Sequence, residues 1–125
     1  MTEEKDFISK RISIIIPCYN AASTIGKCLE AALSPDYKNY EVIVVDDCSS
    51  DNSAEIIKKF SCKLIRFEKR SGASRARNTG AKNSLGEILF FIDADCIIRK
   101  DTLDAVNRAF AKDGDKIIGG TYTKI

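Results

Sequence analysis

The chain has 125 residues, of which 44% are hydrophobic and 30% are charged, and its formal net charge is +2. These values are typical of a single globular domain with a substantial core. The small net charge gives no support for nucleic acid as a partner, and no apolar stretch approaches the roughly 20 residues of a membrane span. Residues 1–10 are charged and lack the apolar centre of a signal peptide, so we expect a flexible N-terminal tail.

Cysteine usage argues against two kinds of chemistry. The five cysteines form no CxxC pair and the chain has no histidine, which disfavours the usual zinc sites and leaves a catalytic thiol without a base. An odd, scattered count fits reduced thiols, so we expect a cytoplasmic protein. Cys18, Cys48 and Cys96 follow predicted strands, and we interpret them as small buried residues of a pocket wall. Cys28 and Cys62 fit a hydrophobic core.

Strands and helices alternate along the chain. The predicted strands are Ile12–Ile16, Tyr40–Val45, the half-exposed edge strand Lys63–Phe67, Ile88–Ile92 with both faces buried, and a weak fifth strand at Lys116–Thr123. The predicted helices are Thr24–Ser34 with Ser23 as its cap, a short helix from Ser50 or Asp51 to Phe60, Arg75–Ser84, and a helix capped by Asp101. This alternation predicts a three-layer α/β/α domain over residues 11–125, with a mostly parallel sheet.

Polar or acidic residues follow three of the predicted strands. Asp93 and Asp95 come directly after Ile88–Ile92, and similar residues follow the first two strands. Ligands of open α/β sheets bind outside the carboxyl ends of the strands. Paired carboxylates there favour a hard divalent cation, because such ions prefer oxygen ligands. Capping of the next loop explains one acidic cluster easily but not three converging ones, so the sequence predicts a cation-assisted site.

Two other α/β classes fit less well. A dinucleotide-binding domain needs G-x-G-x-x-G after its first strand, where this chain has Cys18-Tyr19-Asn20-Ala21-Ala22-Ser23. A receiver-like phosphoacceptor module would bind magnesium through Asp46 and Asp47 and would be phosphorylated on a residue such as Asp93. Its acidic pair should follow the first strand, however, and here a complete strand and helix precede that pair. The receiver stays as the alternative.

Four motifs in order resemble those of family 2 glycosyltransferases. They are Ile14-Ile15-Ile16-Pro17-Cys18-Tyr19-Asn20, Val44-Val45-Asp46-Asp47-Cys48-Ser49-Ser50-Asp51, Gly72-Ala73-Ser74-Arg75-Ala76-Arg77-Asn78-Thr79-Gly80 and Gly86-Glu87-Ile88-Leu89-Phe90-Phe91-Ile92-Asp93-Ala94-Asp95. The resemblance extends from Ile12 onward and implies a GT-A fold, a nucleotide-sugar donor and transfer of the sugar to an acceptor hydroxyl. Cys48 is a departure, since the family often has glycine there, and we expect it only to tighten the turn.

The resemblance also implies how the nucleoside is bound. Pro17, Tyr19 and Asn20 would line the nucleobase and the ribose, with the tyrosine ring as a stacking face. Asp47 would accept a hydrogen bond from the base imide, which favours uracil and therefore a UDP-sugar. A half-buried packing role for Tyr19 and a turn-forming role for Asp46 stay open.

The same resemblance implies roles at the diphosphate and at the cation. Arg77 and Asn78, together with Arg75, lie in a loop-to-helix segment that suits phosphate, although a solvated helix face fits Arg75 equally well. Asp93 would contact the ribose or the water shell of the metal. Asp95 would bind a divalent ion, Mn²⁺ or Mg²⁺, directly.

Inverting transfer also needs a general base for the acceptor hydroxyl. In this family that carboxylate lies well after the Asp-x-Asp motif, so we expect it beyond residue 125. Glu87 and Asp101 fit strand-edge and helix-cap roles better. We therefore expect the donor-binding portion of an enzyme that lacks its acceptor portion and is inactive alone.

Partners and localisation follow from the same expectation. An uncovered C-terminal edge favours self-association. A glycan, lipid or small molecule would be the acceptor, and the cytoplasmic face of the membrane suits the full-length protein.

Overall fold

Four parallel strands form the central sheet of the computed structural model, which describes residues 8–113 and 123–124. They are β1 (Ile12–Cys18), β2 (Tyr40–Asp46), β3 (Lys63–Arg66) and β4 (Ile88–Phe91). The spatial order is β3-β2-β1-β4, and every pairing is parallel. The predicted α/β class is confirmed, and β3 lies at an edge as its alternating sequence indicates. The order differs from the flavodoxin-like order of receivers, in which β1 lies between β2 and β3.

Helices cover both faces of this sheet. They are α1 (Ile25–Ala32), α2 (Ser53–Ile57), α3 (Ala73–Lys82) and α4 (Thr102–Asp113). Buried residues of α1, α2 and α4 share one core with Ile12, Ile14 and Ile16 of β1. On the opposite face, Ala76 of α3 packs with Ile43 and Val45 of β2. The three-layer arrangement is therefore confirmed. None of the described helices is long and apolar enough to cross a membrane.

Several helix boundaries differ from the prediction, and α1 and α3 each end two residues early, at Ala32 and Lys82. The residue before α1 is Thr24 rather than Ser23, because the Ala21 carbonyl accepts the N–H groups of both Thr24 and Ile25 in a preceding turn. Helix α2 ends at Ile57 instead of continuing to Phe60, since the N–H groups of Lys59 and Phe60 bond to carbonyls only three residues back and tighten the chain. Helix α3 begins two residues early, at Ala73.

Strand β4 is buried on one face only, so the prediction of two buried faces was wrong. Ile88 is buried, whereas Leu89 and Phe91 on the opposite side are 40% and 38% exposed. The cause is the position of α3, which packs over β1 and β2 and leaves the edge strand uncovered. Apolar side chains thus lie exposed at this edge of the described sheet. Pairing nevertheless continues one residue past β4, because the Ile92 N–H donates to the Ile15 carbonyl.

The first described residues contact α4, and the last described residues belong to a small second sheet. Asn107 of α4 is buried, accepts the Lys10 N–H and donates to the Ile8 carbonyl, so residues 8–10 of the proposed tail are held against the domain. Cys96–Ile97 (β5) pairs antiparallel with Thr123–Lys124 (β6). The rest of the predicted fifth strand lies outside the described residues.

Helix α3 approaches the sheet closely at Gly80. A Cβ atom at this position would lie 2.5 Å from Cγ2 of Ile15 and 3.4 Å from Cγ2 of Val45. Ile15 and Val45 are fully buried at the centre of the sheet and have no room to move. Glycine therefore sets the distance between α3 and β1.

We predict that Gly80→Ala lowers the free energy of unfolding by about 1–3 kcal/mol, the usual cost of overpacking a filled core. Gly26→Ala in α1 is the matched control. Its Cβ would meet nothing closer than 3.9 Å, so the higher helix propensity of alanine should leave stability unchanged or raised. Urea unfolding followed by circular dichroism measures both. Equal effects of the two substitutions would contradict the close approach at Gly80.

Glu41 anchors a polar cluster near the N-terminal ends of β1 and β2. Its carboxylate accepts hydrogen bonds from the Ser13 hydroxyl and from the Leu85 N–H, and lies 3.9 Å from the Arg11 guanidinium. Burial by itself raises the pKa of Glu41, but these hydrogen bonds and the charges of Arg11 and Lys63 outweigh it, so the pKa lies below 4.5. The ionised form therefore stabilises the fold.

The stabilisation from Glu41 should be complete above the unfolded-state pKa of 4.5 and should disappear as the pH falls through the lower folded-state value. We predict that Glu41→Gln destabilises the protein at neutral pH and that the difference from the unmodified chain shrinks in acid. Unfolding free energies measured at neutral pH and at successive values below 4.5 test this. A constant difference would show that the charge of Glu41 contributes nothing.

Candidate functional site

The loops after β1, β2 and β4 meet at one edge of the sheet. Parallel register places Cys18 beside Asp46, and the Asp47 N–H then donates to the Cys18 carbonyl at 2.8 Å. A pocket of about 120 Å³ opens at this edge. Its lining residues are Pro17, Cys18, Tyr19, Asp47, Arg70, Ala73, Ala76, Arg77, Asp93 and Ala94. The structure thus brings together five of the sequence-predicted site residues, which are Pro17, Tyr19, Asp47, Arg77 and Asp93.

Asp47 is buried beneath the pocket and holds the loop that leads into α3. Its Oδ1 accepts the Ser71 N–H at 2.7 Å, and its Oδ2 accepts the Gly72 N–H at 2.9 Å. The guanidinium of Arg70 lies 2.9 Å from the same Oδ2. Gly72 has a φ of +98°, a backbone conformation that side chains disfavour. Asp47 and Gly72 together therefore fix where α3 begins.

Arg70 also covers the ring of Tyr19. The guanidinium carbon lies 3.7 Å from the ring centroid, in a cation–π arrangement, while the arginine side chain is 51% exposed. Arg70 was not among the predicted site residues, because it lies in a charged loop outside the motifs. The only signal was a pair of basic residues, Lys69 and Arg70, just before Gly72.

Asn20 lies outside the pocket lining and joins two loops. Its Oδ1 accepts the Ser50 N–H at 2.8 Å and the Asp51 N–H at 3.3 Å, while its own N–H donates to Ser49 Oγ at 2.8 Å. Asn20 has a φ of +49°, which asparagine tolerates better than most residues. Its observed contacts therefore position the loop after β1.

The turn after β2 is built around Asp46. Its carboxylate accepts the N–H and the hydroxyl of Ser49, at 3.1 and 2.6 Å, and lies 3.5 Å from Nε of Arg66. These contacts support the turn-forming interpretation of Asp46. Cys48 has a φ of +59°, which explains why glycine suits this position. Cys48 is only partly buried, and neither Cys48 nor the buried Cys96 lines the pocket, so the pocket-wall interpretation was wrong for these two cysteines and correct for Cys18.

Helix α3 presents one face to the pocket. Ala73, Ala76 and Arg77 line it, whereas Arg75 and Asn78 are exposed and lie outside the lining. The 3.6-residue period explains the division, because positions 73, 76 and 77 share a side of the helix. The first turn of α3 thus faces the pocket with one arginine.

Asp93, Asp95 and Cys96 form a possible cation site beside the pocket. Their ligand atoms, two carboxylate oxygens and one sulfur, all lie within 4.8 Å of one another. Both carboxylates are half-buried, while Cys96 is fully buried. The Cys96 N–H donates to the Asp93 carbonyl at 3.1 Å, and this tight turn makes the three groups converge. Since Asp93 also lines the pocket, the cation site and the pocket are contiguous.

Two of the neighbouring thiols are protonated at neutral pH. Burial, and next the negative charge of Asp46, raise the pKa of Cys18 to about 11. Burial also raises the pKa of Cys28 to about 12. Neither is therefore a nucleophile, in agreement with the expectation from the missing histidine.

Comparison with known proteins decides the family. The family model described as Glycosyl transferase family 2 matches residues 13–125. The chain belongs to glycosyl transferase family 2. Glycosyltransferase GlyG of Streptococcus pneumoniae is 33% identical over 121 residues, covering 92% of this chain and 40% of GlyG. The chain thus spans less than half of this relative.

Solved structures agree with the family assignment. TarS of S. aureus, residues 1–349, in complex with UDP-GlcNAc has a TM-score of 0.77 and 28% identity, over 87% of this chain and 37% of that TarS fragment. The mannosyltransferase PcManGT from Pyrobaculum calidifontis, in complex with GDP-Man and Mn²⁺, has a TM-score of 0.75 and 30% identity, over 80% of this chain and 32% of PcManGT. The predicted GT-A fold is confirmed.

We predict that Asp47→Asn speeds amide hydrogen exchange at Ser71 and Gly72 and lowers stability by about 1–3 kcal/mol. The new amide group cannot accept one of the two backbone N–H groups, which is left partly buried and unpaired. Arg70→Ala is the control, because it removes the ion pair but keeps both backbone hydrogen bonds. NMR-detected exchange measures each amide separately. Equal acceleration in the two variants would assign the loop's order to the ion pair instead.

Proposed function

We propose that this chain is the donor-binding portion of a glycosyltransferase that uses a UDP-sugar and a divalent cation. The observation that carries the proposal is the contiguity of three features at one sheet edge. An aromatic face at Tyr19 lies beside the cations Arg70 and Arg77, and Asp93 connects this pocket to the carboxylate of Asp95. A base, a diphosphate and a metal ion occur in the same order in a metal-bound nucleotide-sugar.

The base is proposed to stack on Tyr19 and to meet Asp47. Each carboxylate oxygen offers about two lone-pair directions, and the two backbone N–H groups use one direction on each oxygen. An acceptor position therefore stays available for the N–H of a uracil imide. Arg70 must leave the tyrosine face for the base to stack there, and its exposure permits that movement. The UDP-GlcNAc complex of TarS supports this choice of nucleotide.

The diphosphate is proposed to lie at the start of α3. Arg77 supplies a fork of donors, and the first turn of the helix adds the positive end of its dipole. Arg70, once displaced from Tyr19, lies in reach of the same anion. Asn20 and Asn78, whose described positions are outside the lining, would act on the donor only after a local rearrangement.

Asp95 is proposed to hold the divalent ion, with Asp93 next to it at the ribose or in the ion's water shell. The converging oxygens of the two residues fit such an ion, and PcManGT with GDP-Man and Mn²⁺ supports a metal in the family. When bound, the ion neutralises charge on the diphosphate as the sugar–phosphate bond breaks. The two carboxylates by themselves do not distinguish manganese from magnesium.

Inverting transfer and the inactivity of this chain by itself are further parts of the proposal. Inversion requires a carboxylate that takes the proton of the acceptor hydroxyl. Glu87 and Asp101 are poor candidates: Glu87 precedes β4 at the opposite end of that strand, and Asp101 pairs with Arg99 beside α4. Because the resemblance to the family implies a base well after the Asp-x-Asp motif, we propose that it lies in sequence beyond residue 125. No described contact supports the receiver alternative.

Self-association through an uncovered C-terminal edge stays a prediction. Among the described residues, Leu85, which precedes β4, and Leu89 and Phe91 within it are exposed apolar side chains that would suit such an association. The acceptor class and a place at the cytoplasmic face of the membrane also stay predictions.

We predict that UDP binds more tightly than ADP or GDP in calorimetric titrations with manganese. Tyr19→Ala should cost about 1–3 kcal/mol of binding free energy, because it removes the stacking face. Tyr19→Phe keeps the ring and should bind nearly normally. Equal affinity for the three nucleotides would refute the base assignment and leave only phosphate binding.

We also predict that manganese and UDP each raise the affinity of the other by the same factor, as linkage requires. Asp95→Asn should abolish this coupling without changing the unfolding curve. Calorimetry of UDP with manganese and with a chelator measures the coupling. Identical UDP affinity under the two conditions would mean that Asp95 only caps the loop.

A further inference from the structure

The cation site of this chain contains a sulfur atom in addition to its carboxylates. Sγ of Cys96 lies 3.7 Å from Oδ1 of Asp95. A divalent ion of zinc-like size bonds to oxygen at about 2.0–2.2 Å and to thiolate sulfur at about 2.3 Å. An oxygen and a sulfur 3.7 Å apart would then subtend an angle of about 115° at the ion, which is close to tetrahedral. The pair is already spaced for a shared ion.

The three donor groups of the cation site differ in their exposure to solvent. Asp93 and Asp95 are half-buried and border the solvent, while Cys96 is fully buried on the protein side of the cluster. The hydrogen bond from the Cys96 N–H to the Asp93 carbonyl fixes the backbone that carries the sulfur. An ion held by the carboxylates therefore faces sulfur on its inner side.

We propose that Cys96 is a ligand of the cation and makes the site select thiophilic divalent ions over Mg²⁺. Thiolate sulfur suits softer ions, whereas Mg²⁺ takes oxygen ligands in octahedral geometry. On coordination, the thiol proton leaves to solvent and the sulfur lone pair forms the bond to the metal, with no change of oxidation state. This inference rests on the proposed cation site and adds to it a specificity that carboxylates alone lack.

The test measures the metal–sulfur bond in the absence of nucleotide. Titration of the reduced chain with Co²⁺ should produce a sulfur-to-metal charge-transfer band in the near ultraviolet. The band should vanish in Cys96→Ser and persist in Cys18→Ser, which removes another buried thiol at the same sheet edge. The affinity for Cd²⁺ should fall about tenfold or more in Cys96→Ser, while the affinity for Mg²⁺ should stay unchanged.

A measurement on the unmodified chain does not depend on how the variants fold. The ¹¹³Cd resonance of the loaded protein should lie in the range of mixed sulfur and oxygen ligation. A resonance in the all-oxygen range, or a charge-transfer band that survives in Cys96→Ser, would overturn the inference and leave the proposed carboxylate site intact. If neither Mn²⁺ nor Cd²⁺ binds, with or without UDP, both the inference and the proposed cation site fail.

Discussion

The parallel alignment of β1 between β2 and β4 is the constraint on which the rest of the structure depends. Because all three strands run in one direction, the loops after Cys18, Asp46 and Phe91 leave the sheet at the same edge. Residues that are distant in sequence then share one pocket, and each loop begins from a buried, hydrogen-bonded strand. The close approach at Gly80 adds α3 to this arrangement at a fixed distance. The site is therefore placed by the sheet rather than by the loops alone.

Hydrogen bonds within the loops then fix the positions of the residues that line the pocket. Asp46 closes its own turn, Asn20 joins the loops after β1 and β2, and Asp47 fixes the entry into α3. The proposed donor-binding groups are thus a minority among the motif residues. Several other motif residues instead form hydrogen bonds with the backbone that positions Tyr19, Arg77 and Asp95. A motif residue can therefore be needed for binding without touching the donor.

The sequence predicted the strands, their direction and the acidic edge, because buried apolar runs and strand-end carboxylates are local patterns. It did not predict that Leu89 and Phe91 are exposed, since the burial of a strand depends on which neighbours cover it. Nor could it identify Arg70, whose importance comes from a contact with Tyr19 across the pocket. Asn20 and Asn78 show the converse, because motif membership alone does not say which way a side chain points. Local sequence patterns thus predicted where the site lies. Tertiary contacts were needed to show which residues line the pocket and which hold the loops in place.

The pairing of buried Asp47 with exposed Arg70 gives the pocket a replaceable counter-charge. Two backbone N–H groups keep the carboxylate satisfied when the guanidinium departs, so the loop need not unfold. The proposed diphosphate would therefore meet a cation that already lies at the pocket, instead of drawing one from bulk water. The same arginine lies over the aromatic face on which the base is proposed to stack. One exposed side chain thus occupies the proposed base position and carries the charge that would draw it toward an anionic ligand.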